Sequence, residues 1–234
     1  MAAKATRLSA PPECPLEAVH ASPAVTPRGQ RTLDKLVTAA EAVFARTGFL
    51  DSRMSDIAKE AGVAHGTVYT YFDCKEDVFL AVATRAVEDI LRRSIVVAPD
   101  SSATPEASLR AAAESVVAAY QEHAAILGSL AIVASFDERA SSLRQFLTLQ
   151  LIDQADRVIK AFQRAGLADP ALNRPAVATA LGAMAESFAY VSVVQQHNLS
   201  RKEIADALVH VWVRSIGLET SSTKPARRPR KATT

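Results

Sequence analysis

Small and hydroxyl-bearing side chains are concentrated in one short stretch of the chain, where His65 to Tyr71 read H-G-T-V-Y-T-Y. Threonine and tyrosine hydroxyls can donate hydrogen bonds to phosphate oxygens, and threonine methyl groups can contact thymine. A glycine among them permits close approach of the backbone. These residue types suit a DNA groove, so this stretch is a candidate DNA-binding surface. The candidate contacts are His65, Gly66, Thr67, Tyr69 and Thr70.

Two short helices that cross at a steep angle are predicted to position these side chains. Apolar residues recur on the inner side of both segments, and small Ala58 lets the helices approach closely. Gly62 provides the left-handed turn between them, which a residue with a Cβ atom would resist. The inward-facing residues are Ile57, Ala58, Ala61, Val63 and Val68. The pattern predicts a helix-turn-helix motif over residues 53–72.

The stretch from about residue 30 to residue 80 resembles the TetR (tetracycline repressor) family of transcription regulators. The likeness rests on A-A-E-A-V-F, T-G-F, D-I-A-K-E-A-G-V, G-T-V-Y-T-Y-F and K-E-D-V-F, in that order. The Y-x-Y-F-x-x-K part is the most discriminating. The resemblance implies a recognition helix at about Ala64–Tyr71, so that Tyr71 is also a contact. It further implies a phosphate contact from Lys75, and a candidate contact from Ser55.

Two positions depart from the family pattern. Ala64 and Cys74 stand where the family usually has residues that cap the recognition helix and the helix after it. Loss of a good N-cap costs about 1 kcal/mol, and Asp73 is a candidate substitute at the second position. For some contacts a structural alternative stays open. Tyr71 can be mainly a core residue, and His65 a solvated surface residue.

The rest of the chain is predicted to be helical, giving an all-α fold of about nine helices without a sheet. Apolar residues recur at helical spacing, and no segment alternates with the period of a strand. We expect a flexible N-terminal arm over residues 1–29, rich in Pro, Ala and Ser. A DNA-binding domain follows over 30–90, including the start of a linking helix. An effector-binding and dimerisation domain then spans 91–218, and a disordered basic tail spans 219–234.

A homodimer is expected, because two recognition helices related by a two-fold axis read a palindromic operator. By resemblance, the last two helices form the dimer interface. They are predicted at about Arg174–His197 and Arg201–Ile216. The small residues Ala178, Gly182 and Ala185 fit close packing across that interface, or else ordinary core.

By the same resemblance, the helices after the motif enclose a pocket for a small effector. The abundance of Ala, Val and Leu favours an apolar one. Candidate ligand-binding residues are Tyr120, Phe146, Glu186 and Tyr190. Glu186 lies in a stretch without other charges, so it needs a partner, either a polar ligand group or a residue across the dimer. The alternative for each is a role in the core or interface.

Charge is unevenly distributed along the chain. Net charge is +2, but the C-terminal tail holds five basic residues and no acid, so the remainder is acidic. Such a tail is an accessory to nucleic-acid binding or a solubilising end. The motif itself is nearly neutral, and tight binding is therefore expected to need a dimer or the flanking arms.

Other classes of function find little support. We see no glycine-rich phosphate loop, no G-x-S-x-G and no clustered metal ligands, so we expect neither an enzyme nor a cofactor. Cys14 and Cys74 are predicted to be free thiols. Without an apolar run of about 18 residues or a signal peptide, the chain is expected to be cytoplasmic and not membrane-bound. The leading hypothesis is a ligand-responsive repressor. The alternative is an architectural or activating DNA-binding protein without an effector.

Overall fold

A computed structural model of the chain describes residues 26–95 and 104–218, which form nine α-helices and no strand. The expected all-α fold is confirmed for these residues. The helices are α1 (Pro27–Asp51), α2 (Met54–Ala61), α3 (His65–Tyr69), α4 (Lys75–Arg93), α5 (Pro105–Glu122), α6 (Ala124–Val133), α7 (Glu138–Arg164), α8 (Arg174–Val193) and α9 (Arg201–Ser215). The basic tail and most of the N-terminal arm predicted from the sequence lie outside the described residues.

The end of the predicted arm is helical, which corrects the boundary at residue 29. Helix α1 begins at Pro27, and the Thr26 hydroxyl accepts a hydrogen bond from the Gly29 amide at 3.1 Å. A hydroxyl cap followed by proline is a favourable helix start. The sequence pattern missed this first turn because its residues are polar and solvent-exposed, so they carry no apolar periodicity.

Helices α1 to α4 form the N-terminal domain around a core that α1 shares with α2 and α4. Gly48 interrupts α1 with φ 75°, and Gly62 ends α2 in the left-handed conformation with φ 60°. Only glycine adopts such a backbone without strain. Of the inward-facing residues of the motif, Ile57, Ala58, Ala61 and Val68 are buried as expected, with Ile57 and Val68 fully inaccessible to solvent, whereas Val63 is half-buried.

Helices α5 to α9 form the larger domain, in which α7 packs along α8 and α5 along α9. The closest approach is at Gly182 of α8, where a Cβ atom would lie 2.7 Å from the Ile152 Cα atom of α7. Ala178 is likewise buried inside the subunit. Ala178 and Gly182 therefore belong to the core of one chain, which is the alternative that the sequence left open for them, whereas Ala185 is half-buried. Helix α8 also ends at Val193, four residues before the predicted His197.

Candidate nucleic-acid interface and internal cavity

The second helix of the motif, α3, presents its polar side to solvent. His65 and Tyr69 are one helical turn apart on that side, with ring centroids 5.2 Å apart in an edge-to-face arrangement. Gly66 lies beside them, where an added Cβ atom would meet nothing within 4 Å, and the Thr70 hydroxyl donates to the Gly66 carbonyl at 3.3 Å. The exposed face therefore combines two rings, a bare patch of backbone and a hydroxyl, which is a surface that can enter a groove.

The other candidate contacts are distributed around this face. Ser55 is exposed in the first turn of α2, whereas Thr67 and Tyr71 are half-buried. Tyr71 packs against the core of the N-terminal domain, so its ring has the structural role that the sequence left open. The structure thus brings five of the predicted residues to the solvent-facing side of the motif: Ser55, His65, Gly66, Tyr69 and Thr70.

Helix α3 is shorter than the predicted Ala64–Tyr71. It ends at Tyr69, and the Tyr71 amide bonds to the Val68 carbonyl at 3.0 Å in a tighter turn that directs Phe72 into the core. No side chain caps its start at Ala64. A five-residue helix without a cap has little stability of its own, so tertiary packing holds it in place.

Lys75 is bound to backbone carbonyl groups of its own domain. Its ammonium donates to the carbonyl oxygens of Phe49, Leu50 and Ser52, at 2.7, 3.2 and 3.0 Å, and lies 4.4 Å from the centre of the Phe49 ring. An ammonium has three donors, and all three are used. The phosphate contact that the resemblance implies is therefore not what the geometry shows. Lys75 holds the end of α1 against the start of α4.

The start of α4 is stabilised by Asp77, whereas the sequence suggests Asp73 for this role. No side chain caps the helix at Cys74. Burial alone would raise the pKa of the Asp77 carboxyl, but hydrogen bonds from Arg139 and Cys74 outweigh it and hold the pKa below its usual range. Arg139 of α7 reaches Asp77 at 2.7 Å and Asp137 at 2.9 Å. This ion pair joins the α4 end nearest the motif to the larger domain.

A second polar cluster joins the two domains at the other end of α4. His123 lies between Asp89 of α4 at 3.2 Å and Glu41 of α1 at 3.4 Å, and Arg93 bridges Asp89 and Glu122 at 2.9 and 2.5 Å. The ligand atoms of Asp89, Glu122 and His123 lie within 4.8 Å of one another. The expectation that potential metal ligands are not clustered was therefore wrong, because these three side chains come together in the fold. However, Arg93 already neutralises both carboxylates, so the cluster is an ion-pair junction.

An internal cavity lies between α5, α7, α8 and α9, and the end of α4 forms part of its wall. The volume within it that the centre of a water molecule can occupy is about 90 Å³, the cavity is open to solvent at its mouth, and its surface is almost entirely apolar. The lining residues include Leu109, Val116, Leu151, Val158, Leu208 and Trp212. A largely apolar concave space with a few polar groups is the usual form of a small-molecule site.

Four polar side chains line this cavity. Ser94 donates to the Gln154 side chain, whose amide donates to the Leu91 carbonyl at 3.1 Å, so these two are satisfied. The Tyr120 hydroxyl is buried without a partner among the described residues. Burial, and secondarily the charge of Glu186, raises the pKa of Tyr120. Burial also raises the pKa of Glu186, against the smaller opposing effect of Arg144.

Two of the four predicted ligand-binding residues line the cavity and two do not. Tyr120 and Glu186 face it, whereas Phe146 is buried in the core shared with the N-terminal domain and Tyr190 packs against that core. The structure therefore does not bring Phe146 and Tyr190 together with Tyr120 and Glu186 at this cavity. Sequence reasoning missed Trp212, Gln154 and Ser94, since helical periodicity does not tell which buried face borders a void.

Two family models match the chain. The model for bacterial regulatory proteins of the tetR family matches residues 36–82, and the model for the C-terminal domain of the transcriptional regulator EthR matches residues 109–217. Together they cover the motif, α4 and the cavity-forming helices. The chain belongs to the TetR family. It is a DNA-binding transcriptional regulator, and no catalytic family is indicated.

Relatives and solved structures agree with this assignment. This TetR-family chain is 27% identical over 206 residues to the regulator EthR of Mycobacterium tuberculosis, covering 84% of this chain and 95% of EthR. A fatty acid metabolism regulator of Bacillus subtilis is 39% identical over 59 residues, which is 25% of this chain and 30% of that protein. The latter match is therefore confined to a short part of both proteins.

Among solved structures, a TetR-family regulator from Mesorhizobium loti superimposes with a TM-score of 0.65 at 20% identity, covering 81% of this chain and 98% of that one. SmeT, the repressor of a multidrug efflux pump of Stenotrophomonas maltophilia, does so with a TM-score of 0.61 at 19% identity, covering 86% and 97%. At such identities the structures show that the fold is shared.

Proposed function

We propose that this regulator is a repressor that binds a palindromic operator as a homodimer and is released by a small, largely apolar effector. The observation that carries the proposal is the course of α4. Its first residue, Lys75, contacts the helix-turn-helix domain, and Ser94, directly after its last residue, lines the internal cavity. Its 19 residues span about 28 Å at 1.5 Å per residue. One rigid element thus connects a ligand site to the DNA-reading unit.

The cavity end of α4 is held by a small polar contact that a ligand can disturb. Gln154 of α7 binds both the Leu91 carbonyl and the Ser94 hydroxyl. A molecule that entered the cavity and displaced the Gln154 side chain would free the end of α4. Movement there would change the distance between the two recognition helices of a dimer, and so the fit to the two half-sites.

A homodimer through α8 and α9 is supported by the outer face of α8. Ala176, Ala180 and Ser187 are exposed on that helix, and Val211 is 38% exposed on α9. Among the described helices α8 is long and apolar enough to cross a membrane, and α5 with α6 passes that test only as one bent pair. We assign the apolar outer face of α8 to subunit contact, because the helix packs along α7 within a DNA-binding regulator.

The relatives favour repression over the architectural or activating alternative. SmeT is a repressor by its own description, and EthR is a transcriptional regulator. For this chain we propose that Ser55, His65, Gly66, Tyr69 and Thr70 contact DNA, with Thr67 and Tyr71 supporting them from half-buried positions. A regulator of this class from a bacterium works in the cytoplasm, where the DNA is.

Operator release tests the proposal. The operator is first located by selection from random DNA, and binding of the purified protein is then measured by fluorescence anisotropy while apolar metabolites are added. We expect at least one compound to raise the Kd for the operator more than tenfold. Gln154→Leu lacks the contact that holds the end of α4, so it should bind operator more weakly and respond less to the compound, whereas Gln145→Leu, an exposed change on the same helix, should bind and respond like wild type. Specific binding that no compound weakens would instead support the effector-free alternative.

A further inference from the structure

The polar groups of the cavity restrict the charge of the molecule that it binds. Glu186 is the only carboxylate in the lining, and no described side chain lies within ion-pair or hydrogen-bonding distance of it. An ionised carboxylate in an apolar space is costly unless a positive charge compensates it. Burial already shifts this group towards its neutral form, as the raised pKa of Glu186 indicates.

The surroundings of Glu186 offer no such compensation from within the described part of the chain. Arg144 of α7 faces it from a distance beyond ion-pair contact, and Tyr120 of α5 is the other titratable group near it. The segments of α4 and α9 that line the cavity contribute Ser94, Leu208, Val209 and Trp212, none of which titrates in the ordinary pH range. Because Glu186 lines the cavity, a ligand in that cavity is placed to supply the positive charge.

Aromatic rings in the same lining favour a cation further. Tyr120 and Trp212 both border the cavity with Glu186. The faces of such rings attract organic cations, with tryptophan the strongest, and the attraction grows when the site excludes water. A carboxylate with a tyrosine ring near it in an otherwise aliphatic slot matches an ammonium group attached to an apolar chain, and Trp212 adds an aromatic surface elsewhere in the lining.

We infer that the effector is a lipophilic organic cation, whose positive group is bound by Glu186 beside Tyr120 while its apolar part fills the slot between α5 and α7 and contacts Trp212. This inference rests on the proposed function, because it specifies the ligand of the same cavity. A neutral or acidic lipid would bury Glu186 without a counter-charge.

Three ligands with the same chain and different head groups separate the possibilities: decyltrimethylammonium, decanol and decanoate. Trp212 is the only tryptophan of the chain, so its fluorescence reports directly on occupancy in the full-length protein. We expect the quaternary ammonium compound to bind at least tenfold more tightly than decanol, and decanoate to bind most weakly. A quaternary head group does not titrate, so binding should weaken as the pH falls and Glu186 becomes protonated.

The variant Glu186→Gln should remove the preference and bind the cation and decanol with similar affinity. Glu114→Gln, an exposed change on α5 outside the cavity, should keep the wild-type preference. Equal binding of decanol or decanoate by the wild type, no binding of the cation, or a preference that survives Glu186→Gln would overturn the inference. Operator release by decanol or decanoate would overturn the inference of a cationic effector but would still support a repressor that responds to an effector. Failure of the cation inference can therefore be distinguished from failure of the proposed function.

Discussion

The ammonium of Lys75, at the first position of α4, lies 2.7 Å from the carbonyl oxygen of Phe49, at the end of α1. Two further carbonyl groups and the Phe49 ring complete its surroundings. The lysine therefore sets the position of α4 relative to the motif, and this role differs from that of a phosphate contact in ways that can be measured.

We expect Lys75→Met to weaken operator binding without changing its salt dependence. Loss of a phosphate contact reduces the slope of log K against log[salt] by about 1 per contact, whereas misplacement of the motif lowers K at every salt concentration. The free energy of unfolding should also fall by about 2 kcal/mol, because hydrogen bonds from a charged group are lost. Lys59→Met, an exposed change on α2, controls for charge. A shallower slope specific to Lys75→Met would show that it binds phosphate.

Tyr69 is predicted to contribute to DNA binding through its hydroxyl. Its side chain is 49% exposed beside His65, so Tyr69→Phe should leave the thermal stability and the dimer unchanged. Loss of one hydrogen bond per subunit should cost about 1 kcal/mol each, or roughly a tenfold to thirtyfold weaker operator complex. Tyr69→Ala should weaken it more. Anisotropy titrations and sedimentation measure both properties, and wild-type affinity in both variants would remove Tyr69 from the interface.

The variant Gly66→Ala distinguishes an effect on folding from an effect on how closely DNA approaches the backbone. A Cβ atom there meets nothing within 4 Å, and alanine is favoured over glycine in a helix by about 1 kcal/mol. Gly66→Ala should therefore keep or slightly raise the melting temperature. If the backbone approaches DNA closely at this point, the same variant should lower operator affinity. Unchanged affinity together with unchanged stability would show that the backbone at Gly66 stays clear of the groove.

Gly182 is expected to tolerate no larger residue. The added Cβ of Gly182→Ala would lie 2.7 Å from the Ile152 Cα atom, so α7 and α8 must separate. Overpacking of this kind costs about 1–3 kcal/mol and should lower the melting temperature by several degrees. Gly128→Ala is the matched control, since its Cβ would meet only a Val194 methyl group at 3.4 Å. Equal melting temperatures for both variants would contradict the close helix contact.

Acid should weaken the junction between the domains. Burial would raise the pKa of Asp89, but hydrogen bonds from His123, Arg93 and Arg92 outweigh it and lower the pKa. The folded-state pKa thus lies below the unfolded value of about 3.9. The resulting stabilisation is present above about pH 4 and is lost as the pH falls through the lowered value.

The contribution of the ionised Asp89 carboxylate can be checked by measuring the free energy of unfolding in urea from neutral to acidic pH. Asp89→Asn should be less stable than wild type at neutral pH, and the difference should shrink in acid. The control is Asp153→Asn, which removes only a surface pair with Arg157 and should cost little at any pH. A constant difference across the range would show that the Asp89 charge does not contribute.

The sequence by itself determined the helical fold, the helix-turn-helix and the family. These depend on local and periodic information: Gly62 at the turn, apolar spacing around Ile57 and Val68, and the Y-x-Y-F ending. Such signals are legible along the chain because each acts over a few residues. Exposure of Tyr69 and Gly66 also follows, since the opposite side of α3 must be buried.

Only the tertiary structure decided which partners distant side chains find. Lys75 binds the end of α1, 23 to 26 residues away, and Gly182 packs on α7 instead of a second subunit. Tyr120 and Glu186 border the cavity whereas Phe146 and Tyr190 do not. The residues of α5, α7 and α8 among these lie on apolar helix faces that look alike in sequence. The rotation and crossing of helices, set by the packing of the whole core, determine whether a stripe meets another helix, a partner or a void.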